Sequence, residues 1–398
     1  MQTISDRVLS LAASQTLAMS QKSAELKAQG IDVINLSVGE PDFNTPAHIK
    51  EAAVRAIEDN FSFYSPVPGF MSLRKAVAEK LSRENGLTFA PEQIVVGNGA
   101  KHALCNVLMA TVNPGDEVII PTPAWVSYCE LVKLAGGTNV LIPTGIDSDF
   151  KITPAQLEAA ITPRTRAIIL CTPSNPTGSV YTRDELRALA DVIAAHPGML
   201  IIADEIYEHI NYTGSEIVSI ASFPDVAGQT VIINGVSKAY AMTGWRIGYC
   251  AAPAEVAKAI TKLQGQMTSG ASSIAQKAAE AAYTGSQECV EEMRKAFERR
   301  RDLVVRLARE IPGLVVNEPQ GAFYLFPEVS SYFGKSARGY NIKDASDLAM
   351  YLLMEAHVAT VDGAAFAAPG YIRLSYATSD ENLVEAFRRI AAALAELK

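Results

Sequence analysis

The chain lacks what a membrane protein, a secreted disulfide scaffold or a nucleic-acid binder would carry. Its apolar runs, such as AIIL (167–170) and MLII (199–202), are strand-sized, and none reaches spanning length. Cysteine is scarce: five residues, at 105, 129, 171, 250 and 289, odd in number, widely spaced and without a C-x-x-C pair. That pattern excludes a disulfide framework and reads as small buried hydrophobes in a reducing compartment. The five histidines are isolated from one another and from the cysteines, so no metal site is expected. Runs of one charge are missing too. With 35 basic and 43 acidic residues scattered along the chain and a net charge of −8, no nucleic-acid footprint is expected. The first residues carry Asp6 and Arg7 and no compact apolar core with a cleavage site, so no signal peptide is read and a cytoplasmic location is expected. There is no low-complexity linker and no internal repeat.

What is present is an alternation. Apolar runs at IVVG (94–97), EVIIP (117–121), NVLIP (139–143), RAIIL (166–170), MLIIAD (199–204), TVIING (230–235) and WRIGYCAA (245–252) alternate with helix-like segments. Continuous apolarity points to strands buried on both faces, as in an α/β sheet covered by helices. Thr153-Pro154 opens one helix with proline at its first position, and Thr182 with Glu185 reads as a capping box before another. After about residue 290 the strands and helices are fewer and the turns longer, which fits a second, smaller α+β domain.

Three strand ends carry unusual loops. In VVGNGAKHAL (95–104) a strand ends in glycines and a helix follows, an arrangement suited to an anion at the helix start. The dinucleotide fingerprint fails there, because His102 stands at the third glycine position. In CTPSNPTG (171–178) two prolines and a glycine hold Asn175 on a rigid loop. In IIADEIYEH (201–209) an apolar strand runs directly into Asp204, while alternation sends the rival acid Glu205 to the opposite face. Taken singly, each is equally well a ligand-free turn, a surface loop or a helix cap. In an open α/β sheet, however, ligands bind beyond the carboxyl ends of the strands. A fourth strand end, NGVSKAYAMTGWRIGY (234–249), adds a lysine, Lys238, among small and apolar neighbours.

A lysine in such surroundings has its ammonium form disfavoured, and the free amine condenses with an aldehyde to a Schiff base. The cofactor that carries both an aldehyde and a phosphate is pyridoxal 5'-phosphate. Asp204 would stand beside its ring nitrogen, Asn175 and Tyr207 beside its ring hydroxyl, and Trp125 against its ring face. Arg246 and the helix start at Gly99, Ala100 and Lys101 would hold its phosphate.

The same segments carry a family resemblance. SNPTG, ADEIYEH, NGVSKAYAMTGWRIGY, YIRLSYA, LSVGEPDF (36–43) and FYSPVPGFMSLRKAV (63–77) resemble, in order and over nearly the whole chain, the signature segments of the class I aminotransferases. The chain is most similar to the bacterial aspartate aminotransferases of the aspartate/prephenate subgroup. The resemblance implies the aspartate aminotransferase-like fold, pyridoxal-phosphate fold type I: a large domain with a seven-stranded, mostly parallel sheet plus a smaller α+β domain. It implies an N-terminal segment (1–46) packed with the small domain, a large domain (47–290) and a C-terminal small domain (291–398). It implies a homodimer with shared active sites, in which Tyr64 reaches the partner's cofactor phosphate and Ser237 also touches the phosphate. Arg373 would clamp the substrate α-carboxylate, with Gly39 contributing a backbone contact. Cis peptide bonds are expected at Pro123 and Pro176.

The implied activity is transfer of the amino group of L-aspartate to 2-oxoglutarate, with Lys238 moving the α-proton as general base and then acid. The distal carboxylate would fall to Lys101, with Ser14 and Thr16 nearby. Ala100 stands where a glycine is common in the subgroup, and Ala124 where a tyrosine often precedes the tryptophan. Both bear on pocket shape, so a prephenate, aromatic or alanine aminotransferase and a lyase on the same fold stay open. A dinucleotide-dependent oxidoreductase is disfavoured by the failed fingerprint. A pyridoxal-phosphate-binding regulator is disfavoured because the resemblance begins within about 35 residues of the start, too few for a preceding DNA-binding domain.

Overall fold

The computed structural model describes residues 3–12, 15–215 and 218–398, with the backbone alone for residues 15–17. Seven strands, numbered in chain order, form the main sheet: β1 (Ile94–Gly97), β2 (Glu117–Thr122), β3 (Thr138–Pro143), β4 (Thr165–Cys171), β5 (Leu200–Asp204), β6 (Thr230–Gly235) and β7 (Gly248–Ala251). Their spatial order is β1-β7-β6-β5-β4-β2-β3. The expected strands are all present. The last is shorter than its apolar run, because Thr243–Trp245 forms a 3-10 turn and Arg246 takes a left-handed conformation.

Strand alternation assigns each apolar side chain to a layer. On one face Val118, Ile120, Ile169 and Ile202 pack with Leu104, Val107 and Leu108 of the helix Ala100–Thr111. On the other, Ile119, Ile168 and Ile201 pack with Leu186, Leu189 and Ile193 of the helix Arg183–Ala194. Burying each such side chain contributes roughly 1.5–3 kcal/mol, and this two-sided burial explains runs that are apolar throughout rather than alternating. The helix starts are capped as expected: the Thr153 and Thr182 side chains accept from the Gln156 and Glu185 amides, each in a reciprocal box.

Strands β2 to β6 pair in parallel with one another, and β7 is antiparallel to both of its neighbours, β1 and β6. Its first residue, Gly248, therefore pairs with Gly97 and Gly235, the last residues of those strands. This reversal brings the loop before β7, with Arg246, to the sheet edge where the other loops emerge.

Beyond the sheet, the long helix Glu288–Arg309 runs through residue 290 without a break. It packs with the helices Ala345–Glu355 and Asp380–Ala395 and a small antiparallel sheet in which Ile372–Ser375 lies between Val361–Asp362 and Tyr324–Leu325. The N-terminal segment joins this part: Ile34–Asn35 pairs in parallel with Val358–Ala359, the Leu36 amide donates to the Ala359 carbonyl at 2.9 Å, and the Ser375 amide donates to the Leu36 carbonyl at 2.8 Å. Residues 37–40 are thereby held beside Arg373 and across from the loops of the main sheet. Among the described residues, no helix is long and apolar enough to cross a membrane.

Candidate active site

Lys238 sits just past β6, and its ammonium donates to the Gly39 carbonyl at 2.6 Å. Aromatic rings flank it, those of Tyr207 and Phe323 each 5.8 Å away. Burial, then the positive charge of Arg373, hold its pKa down to about 8. The free amine is therefore far more accessible than in an ordinary lysine, and it becomes a large fraction as pH rises through about 8.

Asp204 ends β5 and is buried. Its Oδ2 accepts from the Tyr128 hydroxyl at 2.7 Å and its Oδ1 from the Ile206 amide at 3.3 Å. Burial pushes its pKa up to about 6 against the pull of those donors, so it remains largely a carboxylate at neutral pH. Glu205 turns away, as alternation requires, into a separate polar cluster.

Arg373 is buried on the strand Ile372–Ser375. It donates to the Asn175 side chain at 3.1 Å and to the Ser37 carbonyl at 2.7 Å, and its guanidinium lies 4.5 Å from the Tyr324 ring centre. Its Nε has no partner among the described residues. A buried guanidinium with a spare donor and only neutral acceptors is suited to an anion. Asn175 is buried on the 171–178 loop, so one side chain ties that loop to the arginine strand. The Tyr207 hydroxyl exchanges a 2.9 Å hydrogen bond with that of Tyr324.

Gly97, Gly99, Gly235 and Gly248 crowd one corner of the sheet. A Cβ at Gly248 would overlap the Ala100 amide, and one at Gly99 would overlap the Arg246 guanidinium. Gly99 also has φ +86°, where a side chain is strained. The helix Ala100–Thr111 begins here, so the Ala100 and Lys101 amides have no preceding turn to accept from them. Arg246, itself at φ 56°, donates to the Thr243 carbonyl at 2.8 Å and the Asn98 carbonyl at 3.3 Å, which fixes its guanidinium over that helix start. Ser237 is buried beside Lys238. Lys101 places its ammonium 4.9 Å from the Trp125 ring centre, and burial and the Arg246 charge lower its pKa.

The fold thus gathers Gly39, Gly99, Ala100, Lys101, Trp125, Asn175, Asp204, Tyr207, Ser237, Lys238, Arg246 and Arg373 along the rim. It does not gather Tyr64, which is 96% exposed. Ser14 lies outside the described residues, as does the side chain of Thr16. Cis bonds occur at Pro123 and Pro176 as expected, and also at Pro173. Only two of the five cysteines, Cys105 and Cys250, are fully buried; Cys129, Cys171 and Cys289 are partly so, and all five are free. Sequence reasoning passed over Tyr128, Ser37 and Tyr324. Tyr128 is in TPAWVSY, three residues after Trp125, and that helical spacing was the available signal.

Comparison with known proteins is consistent across sequence and structure. The family model for aminotransferase class I and II matches residues 31–390. An aspartate/prephenate aminotransferase of Cereibacter sphaeroides is 50% identical over 396 residues, 99% of either chain. An aspartate aminotransferase of Geobacillus stearothermophilus is 50% identical over 97% of this chain and 98% of its own. The crystal structure of an aspartate aminotransferase from Rhizobium meliloti superposes with a TM-score of 0.96 at 45% identity, covering 100% of both chains.

Proposed function

This chain belongs to the aminotransferase class I and II family and is an aminotransferase; we propose that it transfers the amino group of L-aspartate to 2-oxoglutarate, giving oxaloacetate and L-glutamate, with pyridoxal 5'-phosphate as cofactor. The observation that carries the reading is that an amine whose ammonium form is disfavoured, Lys238, and a buried arginine whose Nε is unpartnered among the described residues, Arg373, lie along one rim. The names of the relatives supply the choice of aspartate.

The residues present fit the cofactor. The glycines of this corner let the free helix amides, the β7 backbone and the Arg246 guanidinium approach one another closely, with no Cβ between them, which suits a phosphate. Asp204 is ionised and has lone pairs to spare for a protonated ring nitrogen. When bound, the cofactor supplies an aldehyde and an electron sink for the substrate's α-carbon. The protein does the rest. Lys238 Nζ takes the α-proton of the substrate and returns it, and a pKa near 8 suits it to both directions. Arg246, Ser237 and the Ala100 and Lys101 amides would hold the phosphate, with Gly99 letting the guanidinium approach. Asn175 and Tyr207 would serve the ring hydroxyl, and Trp125 the ring face. Arg373, with Gly39, holds the substrate α-carboxylate and so orients the bond that breaks. Lys101, with Ser14 and Thr16, receives the distal carboxylate.

A homodimer completes the reading. Phe63 and Tyr64 are 80% and 96% exposed, and Val54, Ile57, Met71 and Met267 are exposed as well. A second copy covering them would carry Tyr64 to the neighbouring phosphate. The same reading divides the chain at 46/47 and 290/291 and places it in the cytoplasm. Sedimentation equilibrium tests the dimer, for which a monomer at micromolar concentration is the contrary result.

The test of function is the visible spectrum of the purified protein with L-aspartate and no 2-oxo acid. Fading of the yellow band with stoichiometric oxaloacetate is expected. A yellow protein that ignores aspartate but answers to aromatic amino acids or alanine would overturn the substrate while leaving the cofactor.

A further inference from the structure

The Tyr128 hydroxyl makes the shortest hydrogen bond to Asp204, 2.7 Å to Oδ2. The alternative donor, the Ile206 amide, is at 3.3 Å from Oδ1. Tyr128 is buried in the first turn of the helix Ser127–Leu134, with its ring edge-on to Trp125 at 5.5 Å between centroids. Its oxygen also meets the Cys171 thiol, and Cys171 is the cross-strand partner of Asp204 between β4 and β5. Burial pushes that thiol up to about 12 and the phenol well above its usual range, so both stay protonated. Asp204 therefore has two neutral groups beside it, one of which, the buried Tyr128 phenol, donates to the acid.

We infer that Tyr128 is a positioning residue for Asp204: its O–H keeps the carboxylate ionised and turned, so that an oxygen remains directed at the ring nitrogen of the cofactor. The inference rests on the reading of Asp204 as the partner of that nitrogen. A buried carboxylate left with one long amide bond takes up a proton, and a neutral acid is a poor partner for a protonated ring. With Tyr128 on Oδ2 and Ile206 on Oδ1, each oxygen keeps a lone pair for a third donor.

Tyr128→Phe removes one oxygen and keeps the ring. Two quantities are read on the holoenzyme: the pH midpoint of the visible band of bound pyridoxal phosphate, and the half-time of its release into cofactor-free buffer. When the ring nitrogen gives up its charge, the chromophore holds its own proton more tightly. The midpoint should therefore rise by about half a unit or more, with release roughly tenfold faster. Site-specific 3-fluorotyrosine at position 128 keeps the shape and makes a stronger donor, so both quantities should move the opposite way; this variant serves if the phenylalanine protein does not fold. Unchanged midpoint and release in whichever of the two variants folds would overturn the inference. Asp204→Asn separates the two readings. If it moves neither quantity, the role of Asp204 itself is wrong. If it moves both while the position-128 variants move neither, only the inference about Tyr128 fails.

Discussion

Asp204 and Glu205 are consecutive buried acids at the end of one strand, and they face opposite chemistry. Asp204 faces the rim, with two donors and spare lone pairs, at a pKa of about 6. Glu205 faces the other way, toward Glu208 and Lys80, where burial and then the Glu208 charge push it up to about 8 and its Oε2 has no partner among the described residues. Each side also holds a lysine withdrawn from solvent, Lys80 fully buried and Lys238 partly so. Lys80, 0% exposed, is paired with Glu208 and Glu84 and donates to Asn85. Glu208 in turn accepts from the Asn85 and Asn234 amides at 2.9 and 2.6 Å. Lys238 has a single carbonyl, with Arg373 and Arg246 pushing its proton off and Glu40 and Asp204 holding it on. A charge whose partners are all supplied by the protein is structure; one with partners withheld is available to a ligand. Glu84, Glu208 and His209 come close enough to hold a metal ion, but the Lys80 ammonium already pairs with both glutamates.

The sharpest break between the two sides is to exchange their lysines' fates. Lys238→Ala should abolish transamination and leave the fold intact, whereas Lys80→Met should destabilise by about 3–5 kcal/mol by stranding Glu208. Turnover assays and thermal melts of both variants read this directly, and wild-type-like turnover in Lys238→Ala would end the assignment. Next, Arg373→Lys should lower kcat/KM for amino and 2-oxo acids by roughly a hundredfold, since an ammonium cannot reproduce the two-pronged grip; steady-state kinetics on both half-substrates measure it.

The acids differ in pH. Glu205 gains a proton on folding at any pH between its ordinary 4.5 and about 8, so it weakens the fold progressively as pH rises through that window. Glu205→Gln should match wild type at pH 5 and melt higher at pH 8 by about a few degrees, with activity retained. A melting difference that does not depend on pH would show that Glu205 is ionised. The smallest effect falls at the rim's edge: Lys101→Ala should cost aspartate about tenfold in kcat/KM and alanine less. Equal losses would mean that Lys101 serves only the phosphate.

Much of this contrast was legible from one side only. The strands were readable because burial on both faces leaves continuous apolar runs, and Thr153 and Thr182 were readable because capping is local. Lys238, Asp204 and Asn175 stood out because strand ends are punctuated by glycine and proline. The partner cluster was not readable. Lys80 lies in MSLRKAVAEKLSREN, a charged helix that reads as solvated, and its partner Glu208 is 128 residues away. Tyr128 and Asp204 are 76 residues apart, and nothing local to either predicts their bond. Tyr64 is the converse case: legible through resemblance, but exposed in a single chain.

The most direct test is chemical mapping of the reactive lysine. The protein is incubated with pyridoxal phosphate, reduced with borohydride, digested and sequenced by mass spectrometry. The account predicts one stoichiometric label, on Lys238, formed faster as pH rises through about 8. A label on Lys101 or Lys80, or none, would contradict it.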